Sequence, residues 1–257
     1  MTHVPTTTLD KLLAQDYAAY TADDHWVWRT LFERQLRVLP AVASRRFLEG
    51  LPRVDFQAAH IPDFAAVNPL LARATGWSLV AVPGIVDDRT FFELLAARRF
   101  PATTWLRPPV QLDYLEEPDM FHDVFAHVPL LTDRSFTDFL QAVGTLALRH
   151  LHDAHAVELL SRLYWFTVEF GLINEGGRLR IYGAGILSSA GETVFCLSHA
   201  PARRPFDVAA ILATPYAKDR MQDVYFVIDS YEQLAASVPV LEAELLRRLA
   251  AQPESVG

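Results

Sequence analysis

Apolar residues recur at helical spacing through most of the chain, and this pattern predicts a mainly helical protein. From Asp23 onward the apolar side chains fall mainly on one stripe and Pro40 ends the segment, which predicts an amphipathic helix. The same spacing predicts helices over Val42–Glu49, Ile61–Ala74, Arg89–Ala97, Ser135–His150, Ala156–Phe170 and Tyr231–Ala251. Short runs of β-forming residues predict strands at Ser78–Val82, Thr103–Leu106, Leu179–Tyr182 and Val224–Ile228. Helices with a few short strands favour a mainly α fold of the α+β class that carries small sheets.

The chain shows no fixed-period repeat, low-complexity tract or Gly/Ser linker that would mark a domain boundary. We therefore expect one domain over residues 1–257, with residues 1–20 as a flexible N-terminal arm and residues 252–257 as a loose tail. Apolar residues make up 51% of the chain and charged residues 21%, which is enough apolar material to fill one large core.

Charge and cysteine usage narrow the range of partners. The net charge is −8 and the basic pairs are scattered, so we expect no nucleic-acid partner. The apolar stretches are shorter than the about 20 residues of a membrane-spanning helix, and the N-terminus lacks a secretory pattern, so we expect no membrane partner. The single cysteine, Cys196, allows no internal disulfide, which fits a cytoplasmic location. It lies in an apolar run, where cysteine behaves as a small hydrophobe.

Two histidines, His122 and His127, lie five residues apart between Pro118 and Pro129. In a regular α-helix, residues five apart point about 140° away from each other, so both can bind one metal only if the segment bends. Pro129 favours a helix end nearby. The spacing alone also fits a hydrogen-bonded pair in the core or two surface residues.

One carboxylate, Glu169, stands in an otherwise uncharged run from Leu163 to Leu172. Burying an unpaired carboxylate is costly, so this residue needs a cation, a metal or hydrogen-bond donors beside it, unless it lies exposed on the outer edge of its helix. Two histidines and one carboxylate on one face of iron leave coordination positions open for O2. A second cluster, His150, His152 and His155 with Asp153, matches no common closed zinc pattern, and we interpret it as a polar break between helices.

Three motifs occur in order along the chain, at Glu117–Leu131, Tyr164–Leu172 and Tyr182–Ser189. Together they closely resemble the pterin-dependent aromatic amino acid hydroxylases, above all the short bacterial members that act on phenylalanine. The match runs from about Asp23 to Glu232. It implies the catalytic-domain fold of that family, with helices around an iron site. It also implies that Fe(II) is held at the catalytic centre by His122, His127 and Glu169.

The resemblance implies a monooxygenase that uses Fe(II), tetrahydrobiopterin or a related tetrahydropterin, and O2 to hydroxylate L-phenylalanine to L-tyrosine. Tryptophan 5-hydroxylation, or hydroxylation of another aromatic amino acid, is the alternative within the family. A non-catalytic, ligand-binding member of the fold and a zinc hydrolase with the same three ligands are the alternatives from other classes. The extra regulatory domain and the tetramerisation helix of the animal enzymes have no counterpart, so we expect a monomer, with a role in phenylalanine catabolism.

The resemblance also assigns the residues around the iron. Positions matched to pterin binding are Val86, Phe91, Asp123 and Tyr164. Positions matched to binding of the amino acid are Arg107, Asp119, Trp165 and Ser188. Each has a plainer interpretation: Phe91 and Trp165 as core, Asp123 as a solvated acid, Ser188 as a turn residue, and Arg107 as a surface ion pair with Asp113 or Asp119.

Three positions depart from the family pattern. Leu115 replaces a threonine that helps to bind the amino acid in many relatives, and Ala126 replaces the glycine before the second histidine. Lys218 stands where relatives carry a smaller apolar or acidic residue. A buried lysine charge would need a partner, so we predict that Lys218 points to solvent. Trp165 favours phenylalanine as the substrate, since tryptophan hydroxylases typically carry phenylalanine there.

Overall fold

A computed structural model describes residues 13–113, 115 and 117–251, and in this part of the chain the fold is mainly helical. The α-helices are α1 (Ala22–Leu36), α2 (Leu39–Val42), α3 (Arg45–Arg53), α4 (Phe64–Ala74), α5 (Asp88–Ala96), α6 (Arg134–Leu148), α7 (Ala154–Tyr164), α8 (Ala184–Leu187), α9 (Ala190–Phe195), α10 (Val208–Ala213), α11 (Tyr231–Ala236) and α12 (Val238–Ala250). The strands are β1 (Ser78–Val82), β2 (Arg99–Thr103), β3 (Leu172–Glu175), β4 (Arg178–Ile181), β5 (Ala202–Pro205) and β6 (Val224–Ile228).

The strands form two small sheets. Strands β1 and β2 pair in parallel, and the second sheet has the order β4-β3-β6-β5. In the second sheet β3 and β4 are antiparallel, while β3 with β6 and β5 with β6 are parallel. The predicted class, mainly α with small sheets, is confirmed.

The predicted strands agree with the structure at β1 and β6, and β4 begins one residue earlier than predicted. The strand predicted at Thr103–Leu106 is wrong, because β2 ends where its register pairs Thr103 with Val82, the last residue of β1. The next residues leave the sheet and lead towards the candidate site. Strand β5 was not predicted because its side chains are all exposed, so the alternation that marks a half-buried strand is missing.

Helix starts follow from capping side chains. Aspartates accept a hydrogen bond from the first turn of α4, α5, α6 and α7: Asp63, Asp87, Asp133 and Asp153. Ser44 accepts in the same way from Phe47, so α3 begins at Arg45 and not at Val42 as predicted.

Two long predicted helices are interrupted. The helix predicted at Tyr231–Ala251 is divided at Ser237 into α11 and α12. Pro239 stands in the first turn of α12, where a proline needs no hydrogen-bonded N–H. The helix predicted at Ala156–Phe170 is α7 followed by a wider, π-helical turn over Trp165–Glu169. Periodicity does not register such a break, because the apolar stripe continues through it.

An aromatic cluster in the core supports the segment that carries the two histidines. The rings of Phe121 and Phe125 are stacked at 4.5 Å, and the rings of Trp28, Phe32 and Phe47 meet them edge-on. Each of these side chains is buried, which contributes about 1.5–3 kcal/mol for a side chain of this kind. The histidine segment is therefore held by the core rather than carried on a free loop.

The described part of the N-terminal arm packs against the domain. Leu13 forms a backbone bridge to β1, and the Tyr20 hydroxyl donates to the Thr104 carbonyl at 2.7 Å. Residues 1–12 of the arm and the tail at 252–257 lie outside the described residues, so their predicted flexibility stays a prediction. In the described part of the chain, no helix is both long enough and apolar enough to cross a bilayer.

The contact between α5 and α6 depends on Gly144. A Cβ atom there would lie 2.7 Å from the Ala96 nitrogen and 3.0 Å from the Phe92 carbonyl oxygen. We expect Gly144→Ala to lower the free energy of unfolding by about 1–3 kcal/mol, as overpacking does in other cores. Urea denaturation measures this, with Gly84→Ala as the control, since its Cβ would meet no atom within 4 Å. Equal stability of the two variants would contradict the prediction.

Candidate metal centre

The two histidines lie in a segment that is wound more widely than an α-helix. Phe121–Ala126 forms a π-helical turn, and Val128–Thr132 continues as a tighter 3₁₀ turn that contains Pro129. In a π-helical turn the backbone bonds join residues five apart, so such residues lie on the same side. His122 and His127 have this spacing, and the segment bends as the metal interpretation requires.

Glu169 ends a second turn of the same kind. Trp165–Glu169 is π-helical, and the Phe170 amide donates to the Trp165 carbonyl at 2.8 Å. The chain passes close behind this turn at Gly183, where a Cβ would lie 2.4 Å from the Glu169 carbonyl oxygen. A glycine at that place allows the approach that fixes the backbone of the carboxylate residue.

The three side chains meet at one point. The distance from His127 Nε2 is 3.2 Å to Glu169 Oε1 and 3.3 Å to His122 Nε2. His122 Nε2 lies 3.5 Å from Glu169 Oε2. In the described part of the chain, this is the grouping of three His, Cys, Asp or Glu side chains whose donor atoms are close enough to share a metal ion.

These distances fit a metal ion. Metal–ligand bonds of about 2.1 Å at angles of about 90–110° separate neighbouring ligand atoms by about 3.0–3.4 Å. The two Nε2 atoms lie 3.3 Å apart, and each lies 3.2–3.5 Å from one of the two Glu169 oxygens, which is close to that separation. A set of three protein ligands also leaves further coordination positions for small molecules. The donor set and its geometry therefore suit a catalytic iron ion.

Ser188 fixes the orientation of one imidazole. Its Oγ lies 2.9 Å from His122 Nδ1 and 2.9 Å from the Ala184 carbonyl oxygen. The hydroxyl has one hydrogen, which it must donate to the carbonyl, so it accepts from the Nδ1–H of His122. His122 then carries its proton on Nδ1 and directs the lone pair of Nε2 towards the centre.

The electrostatics of the centre favour an ionised carboxylate. Burial alone would raise the pKa of the Glu169 carboxyl, but His127, His122 and hydrogen bonds from His127 and the Gly185 amide together lower it. The side chain of His127 is 3% exposed, and its ring packs against Phe100 at 4.8 Å between centroids. A negative charge is thus held in a nearly dry setting, where a metal cation would be bound strongly.

Arg107 and Asp119 form a buried ion pair beside the centre. Arg107 donates from Nε and Nη2 to the two oxygens of Asp119, each at 2.8 Å, and its Nη1 lies 3.4 Å from the Leu112 carbonyl. Asp119 is fully buried and also accepts from the His122 amide at 3.2 Å. The surface pair with Asp113 does not form, since Asp113 is exposed and bonds to a different arginine.

The residues assigned to the pterin are Val86, Phe91, Asp123 and Tyr164. Phe91 and Tyr164 are half-buried and meet edge-on at 5.1 Å, and Val86 is half-buried in the loop before α5. Asp123 Oδ2 accepts from the amide and the hydroxyl of Thr103, at 2.8 and 2.9 Å. Burial raises the pKa of Asp123, and the nearby imidazoles and Thr103 lower it only in part. Burial and two nearby carboxylates also raise the pKa of Tyr164 well above 10, so its hydroxyl stays protonated.

Trp165 is half-buried and has three close neighbours. The Phe170 and Tyr216 rings lie at 4.6 and 4.5 Å, and the indole Nε1 donates to Gln222 Oε1 at 2.9 Å. The sequence analysis did not find Gln222, nor the role of Thr103. Neither residue belongs to a motif, and each becomes visible only through its partner in space.

The positions that depart from the family pattern fit the fold without strain. Among the described non-glycine residues, positive φ occurs at Asp55 and Arg98, so Ala126 keeps an ordinary backbone while fully buried. Lys218 is exposed, and its predicted position in solvent is confirmed. Leu115 is half-buried, and nothing in the structure explains its replacement of threonine.

The remaining candidates do not join the centre. The rings of His150 and His152 lie 6.4 Å apart, and His155 pairs instead with Glu158 at 3.6 Å. Cys196 is buried, and burial raises the pKa of its thiol to about 12, so it is not a ready nucleophile. Both features agree with the plainer interpretation of these residues.

The family model for biopterin-dependent aromatic amino acid hydroxylases matches residues 14–254. The chain is 50% identical over 250 residues to the phenylalanine-4-hydroxylase of Chromobacterium violaceum, a match that covers 96% of this chain and 84% of that protein. The fold is similar to crystal structures of the C. violaceum enzyme. The structure of that enzyme with iron(III) and 7,8-dihydrobiopterin bound matches with a TM-score of 0.88 at 49% identity. The match covers 97% of this chain and 94% of that one. The structure with iron and phenylalanine bound matches with a TM-score of 0.88 at 48% identity. This match covers 95% of this chain and 89% of that one.

Removal of any one ligand should abolish metal binding at the centre. We expect His122→Ala, His127→Ala and Glu169→Ala to weaken Fe(II) binding more than about 100-fold, because even loss of an outer hydrogen-bond partner weakens metal sites about 10–100-fold. Metal analysis after equilibrium dialysis measures this, with circular dichroism as the check on folding. His155→Ala is the control, since it lies in the other histidine cluster. Full iron content in two of the three ligand variants would refute this ligand set.

Proposed function

Because the chain belongs to the biopterin-dependent aromatic amino acid hydroxylase family, we propose that it is a phenylalanine 4-monooxygenase. In this role it converts L-phenylalanine to L-tyrosine with Fe(II), a tetrahydropterin and O2. The observation that carries the proposal is the convergence of His122, His127 and Glu169 beside the buried Arg107–Asp119 pair. The similarity to phenylalanine-4-hydroxylases at about half of all positions supports phenylalanine as the substrate.

Iron and the reduced pterin supply the redox chemistry that activates O2, and the protein supplies binding and orientation. His122, His127 and Glu169 would hold the metal, and three protein ligands would leave coordination positions open for small molecules. Ser188 keeps His122 in the tautomer that presents Nε2 to the metal.

Arg107 binds the carboxylate of the amino acid. Asp119 occupies the edge of the guanidinium formed by Nε and Nη2. The second edge, formed by Nη1 and the remaining N–H of Nη2, has only the long contact to Leu112 among the bonds that the structure describes. That edge can take both oxygens of a carboxylate in a planar fork, which lysine could not do. The buried pair therefore holds one face of Arg107 rigid while the other recognises the substrate.

Phe91 would hold the pterin ring, with Val86 and Tyr164 beside it. A flat conjugated ring gains from contact with aromatic and apolar side chains. Asp123 accepts hydrogen bonds from the N–H groups of the pterin. Both bonds from Thr103 end on Asp123 Oδ2, so Oδ1 is the oxygen that we assign to the pterin.

The proposal extends to the location, oligomeric state and metabolic role of the protein. We assign the protein to the cytoplasm, as a monomeric enzyme of phenylalanine catabolism. The single cysteine is buried and unpaired, which suits a reducing compartment. The amino acid and the pterin are its small-molecule partners.

The test of the function is product analysis with phenylalanine, tyrosine or tryptophan supplied in separate reactions, followed by competition between equal amounts of phenylalanine and tryptophan, in the presence of Fe(II), tetrahydropterin and O2. We expect tyrosine from phenylalanine, with a higher kcat/KM than for tryptophan, because an apolar slot beside Trp165 fits a benzene ring better than an indole. A difference of about 1–3 kcal/mol between similar apolar groups still allows slow conversion of tryptophan. Dominant 5-hydroxytryptophan would favour the tryptophan hydroxylase alternative, and absence of any product the non-catalytic one.

If Arg107 binds the carboxylate of the amino acid, its replacement should impair the use of phenylalanine and leave pterin binding nearly unchanged. We expect Arg107→Lys to lower kcat/KM for phenylalanine by about 10- to 100-fold, since hydrogen bonds to charged groups contribute about 1.5–3 kcal/mol each. The KM for the pterin should stay nearly unchanged. Steady-state kinetics with each substrate varied in turn measures both, and Arg53→Lys, an exposed arginine paired with Glu49, is the control. Unaltered kinetics for phenylalanine would rule out this role.

A further inference from the structure

The loop between α10 and β6, residues 214–223, holds the side chain of Trp165 at two points. Tyr216 lies nearly parallel to the indole, with 4.5 Å between centroids and 21° between planes. At the other end of the loop, Gln222 accepts from the indole Nε1 at 2.9 Å. Gln222 is 5% exposed, so water does not compete for this bond.

The loop itself determines which way the Gln222 amide faces. Its Nε2 donates to the carbonyl oxygens of Ala217 at 2.9 Å and Arg220 at 3.1 Å. If the amide were turned over, its oxygen would face two carbonyl oxygens and its NH2 group would face the indole N–H. The amide oxygen is therefore committed to Trp165.

A buried carboxylate anchors the same loop to the domain. Glu192 in α9 is 4% exposed, and its Oε1 accepts from the backbone N–H of Gln222 at 3.4 Å. The same oxygen accepts a short hydrogen bond from the hydroxyl of Tyr225 in β6. The backbone of Gln222 is thus fixed by the buried Glu192, and its side chain by two carbonyls of its own loop and by Trp165.

We propose that Gln222 is a positioning residue that fixes the in-plane orientation of the Trp165 indole and thereby the shape of the pocket for the aromatic ring. Stacking on Tyr216 resists tilting of the indole, but it allows rotation within the plane. A hydrogen bond at the indole edge opposes that rotation because the bond is directional. The role rests on the proposed function, in which Trp165 lies beside the substrate ring.

The backbone connects the orientation of the indole to the metal centre. Trp165 and Glu169 lie in one π-helical turn, so the indole and a metal ligand share the same rigid frame. A substrate ring packed against a fixed indole is therefore placed at a fixed distance from the metal. Small displacements of a reacting group, of about 1 Å, can slow a reaction about 100-fold.

The test is a double-substitution cycle with Gln222→Met and Trp165→Phe. Methionine is close to glutamine in length and lacks the amide oxygen, while phenylalanine lacks the N–H that the bond requires. We expect Gln222→Met to lower kcat/KM for phenylalanine about 10-fold and to lower the tyrosine formed per pterin oxidised. In the Trp165→Phe background the same change should alter kcat/KM less than about 2-fold, since interacting residues are not additive. Gln57→Met, at an exposed glutamine, is the matched control.

A second measurement needs no catalysis. Acrylamide quenching of Trp165 fluorescence, taken as the difference between each protein and its Trp165→Phe partner, should be stronger in Gln222→Met than in the wild-type chain. An equal loss of kcat/KM in both backgrounds, or unchanged quenching, would overturn the positioning role. If the wild-type chain formed no tyrosine at all, the proposed function would fail, and quenching would still decide whether Gln222 holds the indole.

Discussion

The burial of Glu169 between two imidazoles is the constraint on which the rest of the site depends. A nearly buried carboxylate needs positive or donating partners, and the structure provides His122 and His127 at 3.2–3.5 Å. A regular α-helix would point these histidines away from each other. The π-helical turn at Phe121–Ala126 brings them to one side, and a second such turn ends at Glu169. The wider turns depend on support from the core, which the stacked rings behind the histidines provide.

Asp119 connects this centre to Arg107, the residue proposed to bind the amino acid. It is fully buried and accepts both from the Arg107 side chain and from the His122 amide. One carboxylate therefore sets the position of the arginine relative to a metal ligand. In the proposed function, an amino acid bound by Arg107 is therefore placed relative to the metal through Asp119. Breaking such a buried pair leaves an uncompensated charge, which is strongly destabilising.

Much of the fold could be predicted from the sequence, because helices of ten or more residues carry a clear apolar stripe. The failures have physical causes. Strand β2 lies earlier than predicted since its end is set by pairing with β1, and exposed β5 carries no alternation. The ligands His122, His127 and Glu169 were assigned through motifs, whereas their spacing left the question open. A π-helical turn has no periodic signature, so its effect on the spacing could not be calculated beforehand.

The residues that the sequence analysis missed share one property. Thr103 and Gln222 each act through hydrogen bonds to a motif residue, Asp123 and Trp165, that lies far away along the chain. Because buried polar groups in folded proteins almost always find a partner, a buried motif residue shows that a partner must exist without showing which residue it is. At Asp123 one partner, Thr103, is known, and the bond of the other carboxylate oxygen can be inferred from it. Both bonds from Thr103 end on Oδ2, so in the proposed function Oδ1 is the oxygen that accepts from a bound donor. A pterin ring, with its N–H groups along one edge, has the chemistry to supply it.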